Sequence, residues 1–141
     1  MDKPLIGEIL VKRHYITKEQ LDHALAVQKE ENGFIGEILV KLGYLAERDI
    51  VVALVVQCGL PYIAVGKYDI DPQVLRLIPK EMAQKERLIP LDRIGNVLSV
   101  VMTNPLTDDR KIKLEALTKC RVATFISTKS EIEEAIARLY Y

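Results

Sequence analysis

The sequence carries no excess of charge of either sign: 20 lysines and arginines balance 20 aspartates and glutamates over 141 residues. A general nucleic-acid binder concentrates positive charge, so that class is excluded beyond a local patch. Cysteine is scarce too. Cys58 and Cys120 lie far apart in no CxxC or Cys/His cluster, which argues against a disulfide or zinc framework and points to reduced thiols in a cytosolic setting. The opening MDKPLIGEILVKRHY lacks the uninterrupted apolar core of a signal peptide, and no run approaches the ~18 apolar residues that span a bilayer. The expectation is a cytoplasmic chain that does not insert directly into a membrane.

What the chain does have is a duplication. Residues 4 to 28, PLIGEILVKRHYITKEQLDHALAVQ, return as residues 33 to 57, GFIGEILVKLGYLAERDIVVALVVQ, at a constant offset of 29 residues. Positions 6 to 12, 15, 24, 25, 27 and 28 recur unchanged. Ile6, Ile9, Leu10 and then Leu21, Leu25 and Gln28 fall at three- and four-residue steps, so each copy is expected to form two helices joined by a tight connection. Thr17 and Gln20 have capping-box spacing, which predicts a helix from about Lys18 toward Asn32. Gly33, Gly43 and Gly59 are placed to close successive helices in the left-handed conformation. The second copy replaces Asp22, His23 and Ala26 by Val51, Val52 and Val55. Its second helix is thus apolar nearly all round, and Val51, Val52 and Val55 become a candidate partner-binding face.

Residues 59–71, GLPYIAVGKYDID, lose this periodicity and read as an ordered linker. Asp71 can cap a helix that Pro72 begins, and Pro79 divides it from the next. LIPLDRIGNVLSVVM reads as a β-hairpin around Gly95 and Asn96. LTDDRKIKLEALTK follows as a helix, RVATFIS as a third strand, and TKSEIEEAIARLYY as a closing amphipathic helix with Thr128 and Glu131 at capping-box spacing. The predicted class is α+β: a duplicated helical-hairpin domain (1–58), a linker (59–71) and a small ββαβα domain with a three-stranded sheet (72–141).

No constellation proposes a reaction. GLPYIAVGKY mimics a phosphate loop, but its glycines stand seven positions apart, Pro61 intervenes, and Tyr68 stands where Ser or Thr would hold magnesium. His14 and His23 belong to no ligand set and have no serine or cysteine partner, so they read as surface or turn residues. Asp108 and Asp109 suit the positive end of a helix better than an acid pair. The chain is therefore read as a non-enzyme with no catalytic residue, no metal and no required cofactor. What remains is the repeated Ile-Gly-Glu, where glycine permits close approach by a facing hairpin or a planar ligand, and the paired glutamines Gln28 and Gln57.

The doubled IGEILVK…AL.VQ segment, with LIPLDRIGNVLSVVMTNP, LTKCRV and IEEAIARLY, resembles the N-terminal domains of the cytoplasmic ATPases of type II secretion and type IV pilus assembly. The resemblance includes their MshEN type, which binds cyclic di-GMP, and covers almost the whole chain. It implies a non-catalytic regulatory or interaction module, ahead of an ATPase domain or free-standing. Its partners would be that ATPase domain or an inner-membrane platform component, holding it peripherally at the inner membrane. For the nucleotide-binding members the resemblance carries Ile6, Gly7, Leu10 and Gln28, and Ile35, Gly36, Leu39 and Gln57, onto the ligand site. The arginine that opens each repeat there is replaced by Leu5 and Phe34, and His14 stands where the second copy keeps Gly43. Charge-assisted hydrogen bonds contribute about 1.5–3 kcal/mol each. Their absence implies a loss of roughly two to four decades of affinity; Lys3, Lys12, Arg13 and Lys41 are the candidates to compensate, but lysine cannot form arginine's planar fork.

Overall fold

The structure, a computed structural model, describes residues 6–103, 106 and 108–140, without the side chains of Gln57 and Cys58. It divides into two compact units, Met1–Gly59 and Leu60–Tyr141. The class is the one expected, α+β with two helical hairpins followed by a ββαβα unit.

In the first unit each copy contributes a short and a longer helix: α1 (Ile6–Lys12) and α2 (Lys18–Glu31), then α3 (Ile35–Lys41) and α4 (Glu47–Cys58). The N-terminus of α2 is fixed by a complete capping box. Gln20 N–H donates to Thr17 Oγ1 at 3.1 Å, and Thr17 N–H donates to Gln20 Oε1 at 2.9 Å. At α4 only the reciprocal half survives, because the methyl of Ala46 cannot accept; Ala46 N–H donates to Asp49 Oδ2 at 2.9 Å. The turns need left-handed residues, and the copies supply them differently: His14 (φ 64) after α1, Gly43 (φ 81) after α3. Helices α2 and α3 pack together, as do α4 and α1, while α1 also meets α3. Each copy's long helix thus lies on the other copy's short one, and neither hairpin closes a core alone. The shared core joins equivalent residues, Ile9 with Ile38, Leu10 with Leu39 and Ala24 with Ala53. Each fully buried leucine contributes about 1.5–3 kcal/mol relative to exposure.

The second unit runs α5 (Pro72–Leu75), α6 (Lys80–Glu86), β1 (Leu88–Ile94), β2 (Val97–Met102), α7 (Asp108–Thr118), β3 (Arg121–Ile126) and α8 (Lys129–Leu139). Asp71 accepts from Gln73 N–H at 2.8 Å with Pro72 in the first turn, and Pro79 precedes α6. Strands β1 and β2 are antiparallel; Gly95 takes φ 63 at the first loop position, which suits a type II′ turn. Helix α7 carries the chain over to β3, which pairs parallel to β2. Both sheet edges are blunted. On β1, Pro90 lacks a donor and the ladder slips between Pro90 and Asp92. On β3, Val122 N–H donates to the Glu115 carboxylate at 2.9 Å, and residues 61–63 cover the far end. Ile63 N–H donates to Ile126 O at 2.9 Å and Ile126 N–H to Pro61 O at 2.8 Å. Residues 61–63 of the segment read as an ordered linker therefore pair with the end of β3 at Ile126, and Val65 is fully buried in a short 3-10 turn.

Candidate functional site

The matched positions on the doubled hairpins separate by accessibility. Leu10 and Leu39 are fully buried and belong to the core. Gly7 and Gly36 are buried as well. At Gly7 the close approach is made from within the fold: an added Cβ would stand 2.7 Å from Leu21 Cδ1, so α2 fills that space. Ile6 and Ile35 are half-buried against the same core. Gln28 is half-buried, and its Nε2 donates to Gly33 O at 2.8 Å, tying the end of α2 to the turn before α3. The side chain of Gln57 lies outside the described residues. Among the described side chains at these positions, accessible surface is confined to Ile6, Ile35 and Gln28.

Lys12 and Arg13 are exposed, Leu5 and Lys3 lie outside the described residues, and Lys41 Nζ pairs with Glu31 Oε2 at 3.0 Å. Phe34 serves as the N-cap residue of α3. One contact that the sequence did not indicate links the copies. His23 Nδ1, on α2, is hydrogen-bonded to Tyr44 Oη, and the rings meet edge-on with centroids 5.8 Å apart. The symmetry mate of that pair is Tyr15 with Val52, which has no polar group to offer. The repeat offset was the available signal.

The valine face of α4 is open in part. Val52 is 45 %, Val55 37 % and Val56 53 % exposed, while Val51 is half-buried and Ile50, Ala53 and Leu54 are buried. Val56 joins this face although it recurs unchanged from Val27, so the differences between the copies do not single it out.

Elsewhere several polar residues have structural roles. Asp109 pairs with Lys113 at 3.3 Å in the first turn of α7, and Gly66-Lys67 sits in the 3-10 turn. Tyr62 Oη donates to both oxygens of Glu131 at 2.9 and 2.8 Å, and that hydrogen bond, with burial and the carboxylate's charge, raises the phenol's pKa. Glu131 also completes the α8 capping box with Thr128. Tyr140 Oη donates to Leu75 O at 3.2 Å and Ile78 O at 2.9 Å, and burial pushes its pKa up to about 12. Among the described residues no helix is long and apolar enough to cross a membrane.

Several known proteins are similar to this chain in sequence or fold. The type IV pilus assembly ATPase PilB of Myxococcus xanthus is 34% identical over 135 residues, covering 96% of this chain and 24% of the ATPase. PilB of Thermus thermophilus is 33% identical over 137 residues, covering 96% of this chain and 15% of the ATPase. The chain therefore spans a quarter or less of these relatives. The N-terminal domain of XpsE shares the whole fold with TM-score 0.80 at 21% identity, each chain covered in full. A structure of MshE with cdg superposes with TM-score 0.75 at 24% identity, over 98% of this chain and all of that one. The MshEN domain family model matches residues 58–141, more than half the sequence, and the chain belongs to that family.

Proposed function

We infer that this chain is a non-catalytic regulatory and protein-interaction domain of a type II secretion or type IV pilus assembly ATPase, or a free-standing relative. The observation that carries this reading is the interlocking of the two hairpins into one platform whose α4 face, at Val52, Val55 and Val56, is left apolar and exposed. Apolar helix faces of this kind mark interaction sites in soluble proteins. Likeness to PilB supports the assembly context. In this reading 1–58 is the recognition domain, 59–71 the connection, and 72–141 the second interaction domain. Val51, Val52 and Val55 meet the partner, either a linked ATPase domain or a platform component at the inner membrane, from the cytoplasmic side. The test is site-specific photocrosslinking from positions 52 and 55 in the source cell. Recovery of a secretion or pilus platform component or the ATPase supports the reading; recovery of none of them from either position contradicts it.

A second reading, cyclic di-GMP sensing at Ile6, Gly7, Leu10, Gln28, Ile35, Gly36, Leu39 and Gln57, is motivated by the fold shared with MshE, which was solved with cdg. It is the less favoured. Leu10 and Leu39 present no surface, Gln28 already bonds to Gly33, and both motif arginines are replaced. Calorimetry with cyclic di-GMP decides it: saturable heat at micromolar ligand revives sensing, and a flat titration at high micromolar protein ends it.

A further inference from the structure

The second unit carries a groove of about 480 Å³ between the α5–α6 turn and the end of α8. Its accessible apolar surface comes from Pro72, Pro79, Leu139 and the ring of Tyr140, over a floor of the nearly buried Leu75 and the fully buried Ile78; Arg76 and Lys80 stand exposed on its rim. Neither cation makes an ion pair among the described residues. Asp71, the acid at the other end of α5, spends Oδ1 on the Gln73 N–H, and Glu81 is the acid adjoining Lys80 in sequence. The groove is preformed, because the Tyr140 hydroxyl bonds to both Leu75 O and Ile78 O and so fastens the end of α8 to the turn. A binding site already ordered in the free protein spares part of the entropy that association costs.

We propose that this groove docks an acidic, amphipathic segment of a partner polypeptide, its apolar side chains seated on Leu139 and the ring of Tyr140 and its carboxylates on Arg76 and Lys80. Charge complementarity selects this occupant. The groove opens to solvent, so it cannot enclose most of a small ligand's surface, as small-molecule sites do. An anionic membrane is held by clusters of roughly four to eight basic residues, and this rim has two cations. A polypeptide buries only one face and needs few charges, which fits both facts. The site depends on neither the doubled hairpins nor the α4 valines, so it stands or falls separately from the proposed function.

The test uses the full chain, ¹⁵N-labelled, titrated with an acetylated peptide pool Glu-Glu-Xaa-Xaa-Glu-Glu in which each central position is Leu, Ile, Val or Phe. A pool with lysines in place of the glutamates is the control. Expected are amide shifts concentrated at residues 73–80 and 139–140, with the acidic pool binding about tenfold tighter than the basic one. The double variant Arg76→Glu, Lys80→Glu inverts that preference while amides elsewhere keep their positions, as exposed side chains allow. Arg76→Gln with Lys80→Gln abolishes the preference without inverting it. Absence of shifts at these residues at millimolar acidic pool, equal binding of the two pools, or indifference to charge reversal overturns the proposal. Binding to phosphatidylglycerol vesicles that is lost on charge reversal, without peptide binding, also overturns it and assigns the cations to a membrane.

Discussion

The two hairpins begin from the same seven-residue helix, IGEILVK, and end as different surfaces. Inward, the equivalence holds: Leu10 and Leu39 are both fully buried, as are Ala24 and Ala53 within a residual percent. Outward it fails. Leu25 is 39 % exposed while its counterpart Leu54 is completely buried, and Val27 is half-buried while Val56 is exposed. Identical residues at equivalent positions therefore do different work, and the buried stripe of α4 is turned relative to that of α2. The copies keep the same residues in the shared core at Ile9 and Ile38, Leu10 and Leu39, and Ala24 and Ala53, while part of the outward face, at 22, 23 and 26 against 51, 52 and 55, differs. Where α2 shows Asp22, His23 and Ala26 to solvent, α4 shows valine.

The largest expected effect breaks the equivalence at its centre. Leu10→Ala and Leu39→Ala each remove a fully buried side chain and should cost about 2–5 kcal/mol by urea unfolding. The two costs should agree closely, because the sites are related by the repeat. A benign result at one site alone would show that the core is not shared.

The second unit has no internal duplicate and offers a contrast. Tyr140→Phe removes the hydroxyl that fastens α8, at a cost of about 1 kcal/mol near neutral pH. The wild-type phenol has a folded pKa raised from 10.0 to about 12, so its contribution is fully present below pH 10 and is lost as pH rises toward 12. Melting temperature followed from pH 9 to 11.5 should fall more steeply in the wild type than in Tyr140→Phe, and parallel curves would contradict that assignment.

Smaller changes sharpen the comparison by making the copies alike. His14 holds φ 64 where the second copy uses Gly43, so His14→Gly should raise stability by about 0.5–1 kcal/mol, whereas Gly43→Ala should lower it comparably. Ala46→Thr restores the missing half of a capping box already supplied by Asp49 and should add about 0.5–1 kcal/mol. Thermal unfolding measures both. The smallest effect on stability belongs to Val52→Asp with Val55→Asp, within about 0.5 kcal/mol for each exposed site, yet this variant should lose the crosslinked partner.

Local rules made much of the fold legible. Thr17 with Gln20, Thr128 with Glu131, Asp71 with Pro72, and Gly95 at the hairpin each act within a few residues, and the chain obeys them. Contacts between distant segments left no such mark. Nothing in the run around Tyr62 announces its pairing with Ile126, and nothing in Leu25 or Leu54 separates an exposed leucine from a buried one. The candidate ligand positions suffered for the same reason. Matching Leu10, Leu39 and Gly7 to a motif identifies residue types, but whether those residues reach a surface is decided by what packs on them, and Leu21 packs on Gly7.

Native-state hydrogen exchange on Leu10→Ala tests most directly whether the hairpins form one interlocked platform. A shared core predicts that amides of α1–α2 and of α3–α4 lose protection together and by the same free energy, although only the first copy is altered. Loss confined to residues 6–31, with α3 and α4 protected as in the wild type, would contradict the account.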